Sequence, residues 1–147
     1  MRPIKFRAIQ KKIDGHKTDP NMYEVTSIRF WDENGVRCLP NDFQILIPIA
    51  SPSENATHAW CSTFSHYVMQ FTGLIDKNGK EIFESDILIP VDMHDSNIDF
   101  WHTPEGQTMA VGNPYEVKWW NHGWDVPCDP GYWEVLGNVW ENPELLK

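Results

Sequence analysis

The sequence has no long hydrophobic run, and this excludes one class of protein at the outset. In 147 residues the longest apolar stretch covers residues 45–50 and contains a proline, whereas a membrane-spanning helix needs roughly 20 apolar residues. The first residues alternate between basic and apolar side chains. We therefore expect neither a membrane span nor a signal peptide.

Cysteines are few, odd in number and far apart. Cys38, Cys61 and Cys128 form no CxxC pair, so neither a disulfide scaffold nor a zinc ribbon is indicated. The pattern is typical of a protein of the reducing cytoplasm, and the three side chains are expected to act as small buried or half-buried hydrophobic groups.

Catalytic motifs are also missing. The chain contains neither a G-x-S-x-G elbow nor a G-x4-GK phosphate loop. Two groups of metal-ligating residue types have no recognised site spacing: His58, Cys61 and His66, and the set Asp92, His94, Asp95, Asp99 and His102. We expect no catalytic residues, no metal and no cofactor, and keep a metal-dependent hydrolase that uses the second group as an alternative.

Positive charge is scarce in the second half of the chain. Residues 1–73 carry eight Lys and Arg against seven acids, a net +1, whereas residues 74–147 carry four Lys against fourteen acids, a net −10. The excess of acid favours solubility, or the meeting of a basic edge with an acidic face of another copy or a partner. It makes nucleic acid an unlikely partner. A nucleic-acid-associated module that uses the basic residues Arg2, Lys5 and Arg7 remains an alternative.

Long helical periodicity is absent, and apolar residues mostly recur with a period of two, which predicts a mainly β fold. Strands are predicted at residues 4–8, 22–31, 36–39, 43–47, 67–72, 81–89, 115–120, 124–126 and 132–140. Pro48 is expected to mark an edge strand or a strand end, and Gly73 to end a strand. Tight turns are predicted at residues 32–35 and 76–80, and loops at residues 11–20 and 91–114. A short helix is placed within residues 55–64, and a terminal helical turn after the cap residue Asn142.

Three blocks carry a family resemblance. Residues 4–8 read IKFRA, residues 68–87 read VMQFTGLIDKNGKEIFESDI, and residues 134–146 read EVLGNVWENPELL. In this order they resemble the YopX family of phage and prophage proteins, whose members share an IKFRA start, an MQ-[FY]-TGL-x-DxNG-x-EI-[YF]-EGDI centre and an EVIGN-[IV]-[YW]-ENPELL end. Ser85 stands where the family has glycine.

The resemblance implies an architecture but no chemistry. It implies an α+β self-association part at residues 1–66, followed by an SH3-like β-barrel at residues 67–147. Such proteins are phage accessory factors without agreed catalytic residues. If the family glycine served a turn with positive φ, Ser85 would strain the backbone there.

The residues of the shared blocks are mostly of structural types. Glycines suit turns, and short Asp and Asn side chains bond to their own backbone. We interpret eight residues as a structural motif: Gly73, Asp76, Asn78, Gly79, Glu84, Asp86, Gly137 and Asn138. Glu84 and Asp86, at i and i+2, would share one strand face as an acid–base pair does, but Asp86 is better interpreted as a turn cap.

Aromatic residues are plentiful, with eight Trp, seven Phe and four Tyr. Trp119, Trp120 and Trp124 surround one predicted hairpin turn, and neighbouring strand residues point to opposite faces. One of them is therefore expected at a surface, where Trp suits a self-association interface, a partner hot spot or stacking on a base. We predict a non-catalytic, homo-oligomeric binding module that captures a host protein or a small nucleotide.

Overall fold

The computed structural model describes residues 4–12, 21–31, 34, 43–53, 56–90, 100–102, 108–110, 113–120, 123–125 and 130–147. The described residues divide into two compact units, Ile4–Gln70 and Phe71–Lys147, which we call the N-unit and the C-unit. The division falls within one continuous strand. The self-association role of residues 1–66 and the barrel of residues 67–147 stay predictions.

The N-unit consists of antiparallel strands. They are β1 (Phe6–Gln10), β2 (Met22–Val25), β3 (Ser27–Arg29), β4 (Gln44–Ser53), β5 (Ala56–Ser62) and the first half of β6 (His66–Ile75). β1 lies between β2 and β6, and β4 lies between β3 and β5. The predicted strands at residues 4–8, 22–31 and 43–47 are thereby confirmed, with the second interrupted at Thr26.

The core of the N-unit follows from alternation along these strands. Ala8, Ile45 and Ile47 are buried and form its centre. Ile45 pairs with Ile28 on one side and with Cys61 on the other, so all three point to the same face. Cys61 is free and half-buried, and burial raises the pKa of its thiol.

Two predictions for the N-unit are wrong. Residues 56–62 form β5 and not a helix, because this segment pairs with β4 from Gln44↔Ser62 to Pro48↔His58. Of the two roles expected of Pro48, a strand end is wrong, because β4 continues to Ser53. The pairs with β3 end at Leu46, so the proline, which has no N–H to donate, lies where the described strands pair with β4 on one side only.

The C-unit is built from shorter strands. The second half of β6 pairs with β7 (Glu81–Phe83). A three-stranded sheet has the order β11 (Tyr115–Glu116), β8 (Asp86–Pro90), β14 (Trp133–Asn138). Two hairpins are β9 (Phe100–His102) with β10 (Thr108–Ala110), and β12 (Lys118–Trp120) with β13 (Gly123–Asp125). Short 3-10 helices cover Pro130–Tyr132 and Pro143–Leu146.

The core of the C-unit contains the largest fully buried side chain, Trp133. It clusters with Ile82, Leu88, Val117 and Val135. Three partly buried side chains pack against this cluster, namely Leu74, Tyr115 and Trp124. The turn at residues 76–80 and the hairpin at residues 118–125 lie where the sequence predicts them.

Three boundaries in the C-unit differ from the predicted ones. β6 runs through Gly73, whose φ of 83° accompanies a register shift against β7 and so forms a bulge instead of an end. The strand predicted at residues 81–89 is divided at Ser85, which has a φ of 64°. The predicted loop at residues 91–114 contains the β9–β10 hairpin, while its residues 91–99 lie outside the described residues.

The fold is therefore mainly β. Among the described residues neither unit contains an α-helix, and the strand pairings do not close a barrel. The structure as described also has no helix with the length and apolar character to cross a membrane. Residues 13–20 of the predicted loop at 11–20, the predicted turn at residues 32–35 and the predicted strand at residues 36–39 lie outside the described residues, apart from the turn residue Asn34.

Candidate functional site

Asp76, in the central shared block, accepts three hydrogen bonds from backbone N–H groups. Its side chain is buried at 4% exposure. Oδ1 accepts hydrogen bonds from the backbone N–H groups of Asn78 at 2.8 Å and Lys80 at 2.9 Å. Oδ2 accepts one from Val135, 59 residues away, at 3.0 Å. The carboxylate thus closes the β6–β7 turn and joins it to β14.

The charge of Asp76 is stabilised by these donors. Burial alone would raise the pKa of the carboxyl, but the backbone hydrogen bonds from Val135, Lys80 and Asn78, helped by the positive charge of Lys80, outweigh burial. The pKa therefore lies below its ordinary value of 3.8. A carboxylate held in this way lacks the raised pKa of a general acid at neutral pH.

Asp86 closes a second corner. It is 1% exposed, and its Oδ2 accepts the Phe83 N–H at 2.8 Å across the turn that contains Ser85. The Ser85 N–H donates to the Val117 carbonyl at 2.8 Å. Because this turn separates Glu84 from Asp86, the two carboxylates do not share a strand face as the sequence had suggested.

Asn138 and Gly137 form a third corner, after β14. Asn138 Oδ1 accepts hydrogen bonds from the N–H groups of Trp140 and Glu141, each at 3.0 Å. A Cβ at Gly137 would overlap the Asn142 side chain. Asn142 lies at the N-cap of the helical turn that follows, as predicted, but its side chain makes no cap bond. Its amide instead occupies the space that a Cβ at position 137 would need.

The remaining glycines of the blocks serve backbone conformation. Gly73 and Gly79 have φ of 83° and 81°, a region where a side chain costs energy. No atom approaches the position of a Cβ at Gly79 within 4 Å, so conformation and not space is the constraint there. In the described residues, the blocks build turns and corners.

A surface with binding character lies on the β12–β13 hairpin. Trp119 pairs directly with Trp124 across the hairpin, and their rings meet edge to face with centroids 4.9 Å apart. Trp124 packs against the core cluster of the C-unit, while Trp119 is 54% exposed. An anchored ring thus holds an exposed one, whereas the side chain of Trp120 lies outside the description.

The charges beside this hairpin are partly paired. Lys118 contacts Glu116 at 3.2 Å between Nζ and Oε2. Lys118 is also the immediate neighbour of Trp119 and so points to the other face of the strand. A base stacked on Trp119 would therefore find no described cation on the same strand face for its phosphate.

The basic residues at the start of the chain lie apart from this hairpin in sequence and in unit. Arg2 lies outside the described residues. Lys5 and Arg7 are half-buried, and Arg7 Nη2 lies 3.8 Å from Met69 Sδ. β1, which carries Arg7, is paired on both sides and is not an edge strand.

The candidate metal ligands are placed as follows. His58 is exposed, Cys61 packs against the core of the N-unit and His66 is buried. No group of three or more metal-ligating side chains converges among the described residues. Residues 92–99 lie outside the description, and His102 lies on β9.

One cluster of side chains in the N-unit, Arg29 with Gln44 and Trp60, was not predicted from the sequence. Arg29 on β3 donates from Nε to Gln44 Oε1 on β4 at 2.6 Å. Its guanidinium lies 4.1 Å from the ring centroid of Trp60 on β5. The cluster could be predicted only from the pairing of β3, β4 and β5. That pairing was not expected, because a helix was predicted within residues 55–64 and a strand end at Pro48.

Comparisons with known proteins agree on family and fold. The family model described as "YopX protein" matches residues 5–147. The crystal structure of protein EF1440 from Enterococcus faecalis is similar over 100% of both chains, with a TM-score of 0.56 and 22% sequence identity. At that identity the likeness concerns the fold alone. No curated protein matches the chain.

Proposed function

Because the chain belongs to the YopX family, we propose that it is a non-catalytic phage or prophage accessory protein that captures a molecule of the bacterial host. The observation that carries the proposal is the exposed Trp119 ring held by Trp124. Trp is enriched at binding hot spots because it buries a large area while few rotamers are lost. Fixing its ring in advance lowers the entropy cost of binding.

Between the two ligands that the sequence suggests, the surroundings of Trp119 favour a host protein over a small nucleotide. A nucleotide brings phosphates, and the net charge of residues 74–147 is −10. The neighbouring cation on the strand, Lys118, points to the other face and pairs with Glu116. A protein partner requires only an apolar or aromatic contact at this ring.

The proposal also covers the oligomeric state of the protein and its location in the cell. The protein would act as a homo-oligomer in the host cytoplasm, with residues 1–66 in self-association and residues 67–147 as an SH3-like module. Capture of a host component would serve the phage, for example by blunting a defence. The shared blocks support the absence of catalysis, since their carboxylates Asp76 and Asp86 hold backbone N–H groups.

The test is affinity capture from host lysate with matched tryptophan variants. Trp119→Ala is expected to lose the captured protein. Trp31→Ala is the control, because Trp31 is also 54% exposed but belongs to the N-unit. The free energy of unfolding of both variants must stay within about ±0.5 kcal/mol of the wild-type value, the usual range for surface substitutions.

Nucleotides are tested separately by titration against tryptophan fluorescence. Quenching in the wild type that disappears in Trp119→Ala would assign the site to a nucleotide instead of a protein. Absence of both a captured protein and a quench, or equal behaviour of the two variants, would refute the proposed function.

A further inference from the structure

We propose that Arg29, Gln44 and Trp60 form a carboxylate-binding site on the outer face of the β3–β4–β5 sheet, and that its ligand is an acidic side chain in a peptide segment of a partner protein. The site lies in the N-unit and does not depend on Trp119. Success or failure here therefore leaves the proposed function untouched.

The site exists because of the register of three strands. Arg29 pairs with Gln44, which pairs with Ser62, while Trp60 pairs with Leu46. These residues alternate with Ile28, Ile45 and Cys61, whose side chains enter the core. The face that carries Arg29 and Trp60 is therefore the one that points away from the core.

The guanidinium is held in one orientation. The Nε–H donates to Gln44 Oε1 at 2.6 Å, and the planar group lies 4.1 Å from the Trp60 ring centroid. These two contacts, one to β4 and one to β5, restrain the position of the group. Its Nη1 and Nη2 atoms have no hydrogen-bond acceptor or ion-pair partner in the described part of the chain.

A fixed guanidinium with free terminal N–H groups matches a carboxylate. The two oxygens of an Asp or Glu side chain accept a parallel pair of hydrogen bonds from it, and one positive charge balances one negative charge. Phosphate carries more charge and is usually met by several cations or a helix N-terminus. The described residues that share this face include the exposed His58 but supply no Lys and no second Arg.

The flanking side chains favour a peptide over a small free acid. Trp60 is 37% exposed and Leu46 is half-buried on the same face. They offer apolar contact to the residues on either side of the bound carboxylate. Arg and Trp side by side are also the residue types most enriched in interface hot spots.

The experiment measures binding of a capped peptide of alternating Glu and Ala to the full chain by calorimetry, with the corresponding Gln and Ala peptide as the ligand control. Arg29→Lys keeps the positive charge but loses the two parallel N–H donors of the guanidinium, and is expected to weaken binding about tenfold. Lys12→Gln removes an exposed cation of the same unit and is expected to change affinity less than about twofold.

A second variant tests the site without changing Arg29. Gln44→Glu places a carboxylate of nearly the same shape beside the guanidinium, where it competes with the peptide, and is expected to weaken binding about tenfold or more. Thermal unfolding of each variant verifies that it is folded.

Three results would overturn the proposal. They are no binding of the acidic peptide, equal binding of the Gln peptide, or equal affinity in wild type, Arg29→Lys and Gln44→Glu. The proposal is also overturned if inorganic phosphate or a single-stranded oligonucleotide binds more tightly than the peptide and shows the same dependence on Arg29. The ligand would then be a phosphate and not a carboxylate.

Discussion

The two units of the chain are both built from antiparallel strands but stabilise their connections differently. In the C-unit, buried polar side chains bond to backbone N–H groups at the corners, as Asp76, Asp86 and Asn138 do. In the N-unit, the strands pair around a small core of Ala8, Ile45 and Ile47. Its described β5–β6 connection uses half-buried hydroxyls and no buried carboxylate, since Ser62 Oγ accepts the N–H of Phe64. Two of the three shared blocks lie largely in the C-unit, and they contain all three of these corner residues.

The largest expected effect comes from removing the acid that joins turn and strand. Asp76→Ala leaves three backbone donors without their acceptor and should lower the free energy of unfolding by about 3–5 kcal/mol. The matched change in the N-unit is Thr26→Val. The Leu46 carbonyl that loses the Thr26 Oγ1 bond keeps the Thr26 N–H, so the loss should stay below about 1 kcal/mol. Urea denaturation measures both, and equal losses would remove the contrast between the units.

A second prediction compares two glycines of the C-unit. Gly137→Ala forces the Asn142 side chain to move and should cost about 1–3 kcal/mol. Beyond its chain neighbours, no atom of the described residues lies within 4 Å of the Cβ position at Gly123, so Gly123→Ala should change stability by less than about 0.5 kcal/mol. Thermal unfolding of the two variants checks this, and a larger loss in Gly123→Ala would contradict the role assigned to Asn142.

The third prediction concerns pH. Because the folded-state pKa of Asp76 is depressed, its contribution is complete above the unfolded-state pKa of about 3.9 and is lost as the pH falls through the folded value. Unfolding midpoints between neutral pH and about pH 3 should fall more steeply in the wild type than in Asp76→Asn, which cannot ionise. Parallel curves would show that Asp76 does not contribute to acid sensitivity.

The smallest expected effect is a gain. Ser85 has a φ of 64°, which costs a non-glycine residue about 1–2 kcal/mol. Ser85→Gly should stabilise the chain by about 0.5–1 kcal/mol, since the glycine also loses more backbone entropy on folding. Gly79→Ser, at a φ of 81°, is the converse and should destabilise by about 1 kcal/mol. Denaturation midpoints of the pair measure this, and a loss in Ser85→Gly would show that the hydroxyl compensates for the strain.

Sequence patterns predicted the parts of this structure that depend on local chemistry. The Asp76–Lys80 turn and the hairpin of Trp119 and Trp124 were placed correctly, because short polar residues and glycine act on their own backbone. The apolar pattern missed the bulge at Gly73 and the division at Ser85, since a positive φ inside an alternating segment leaves that pattern unchanged. The family glycine at position 85 and the turn-cap interpretation of Asp86 did indicate a turn there, and both are confirmed. The Arg29–Trp60 contact was missed for another reason: it requires the register of three strands, which no local signal contains.

The hydrogen bond from Val135 to Asp76 bears on how the protein is made. Its two partners are 59 residues apart, so Asp76 leaves the ribosome well before β14, the strand that donates its third hydrogen bond. Until β14 emerges, one carboxylate oxygen must be satisfied by water, and the corner is held by its local bonds alone. Translation that stops before residue 135 would therefore leave an incompletely satisfied acid at this corner, a defect that cellular quality control can recognise and degrade.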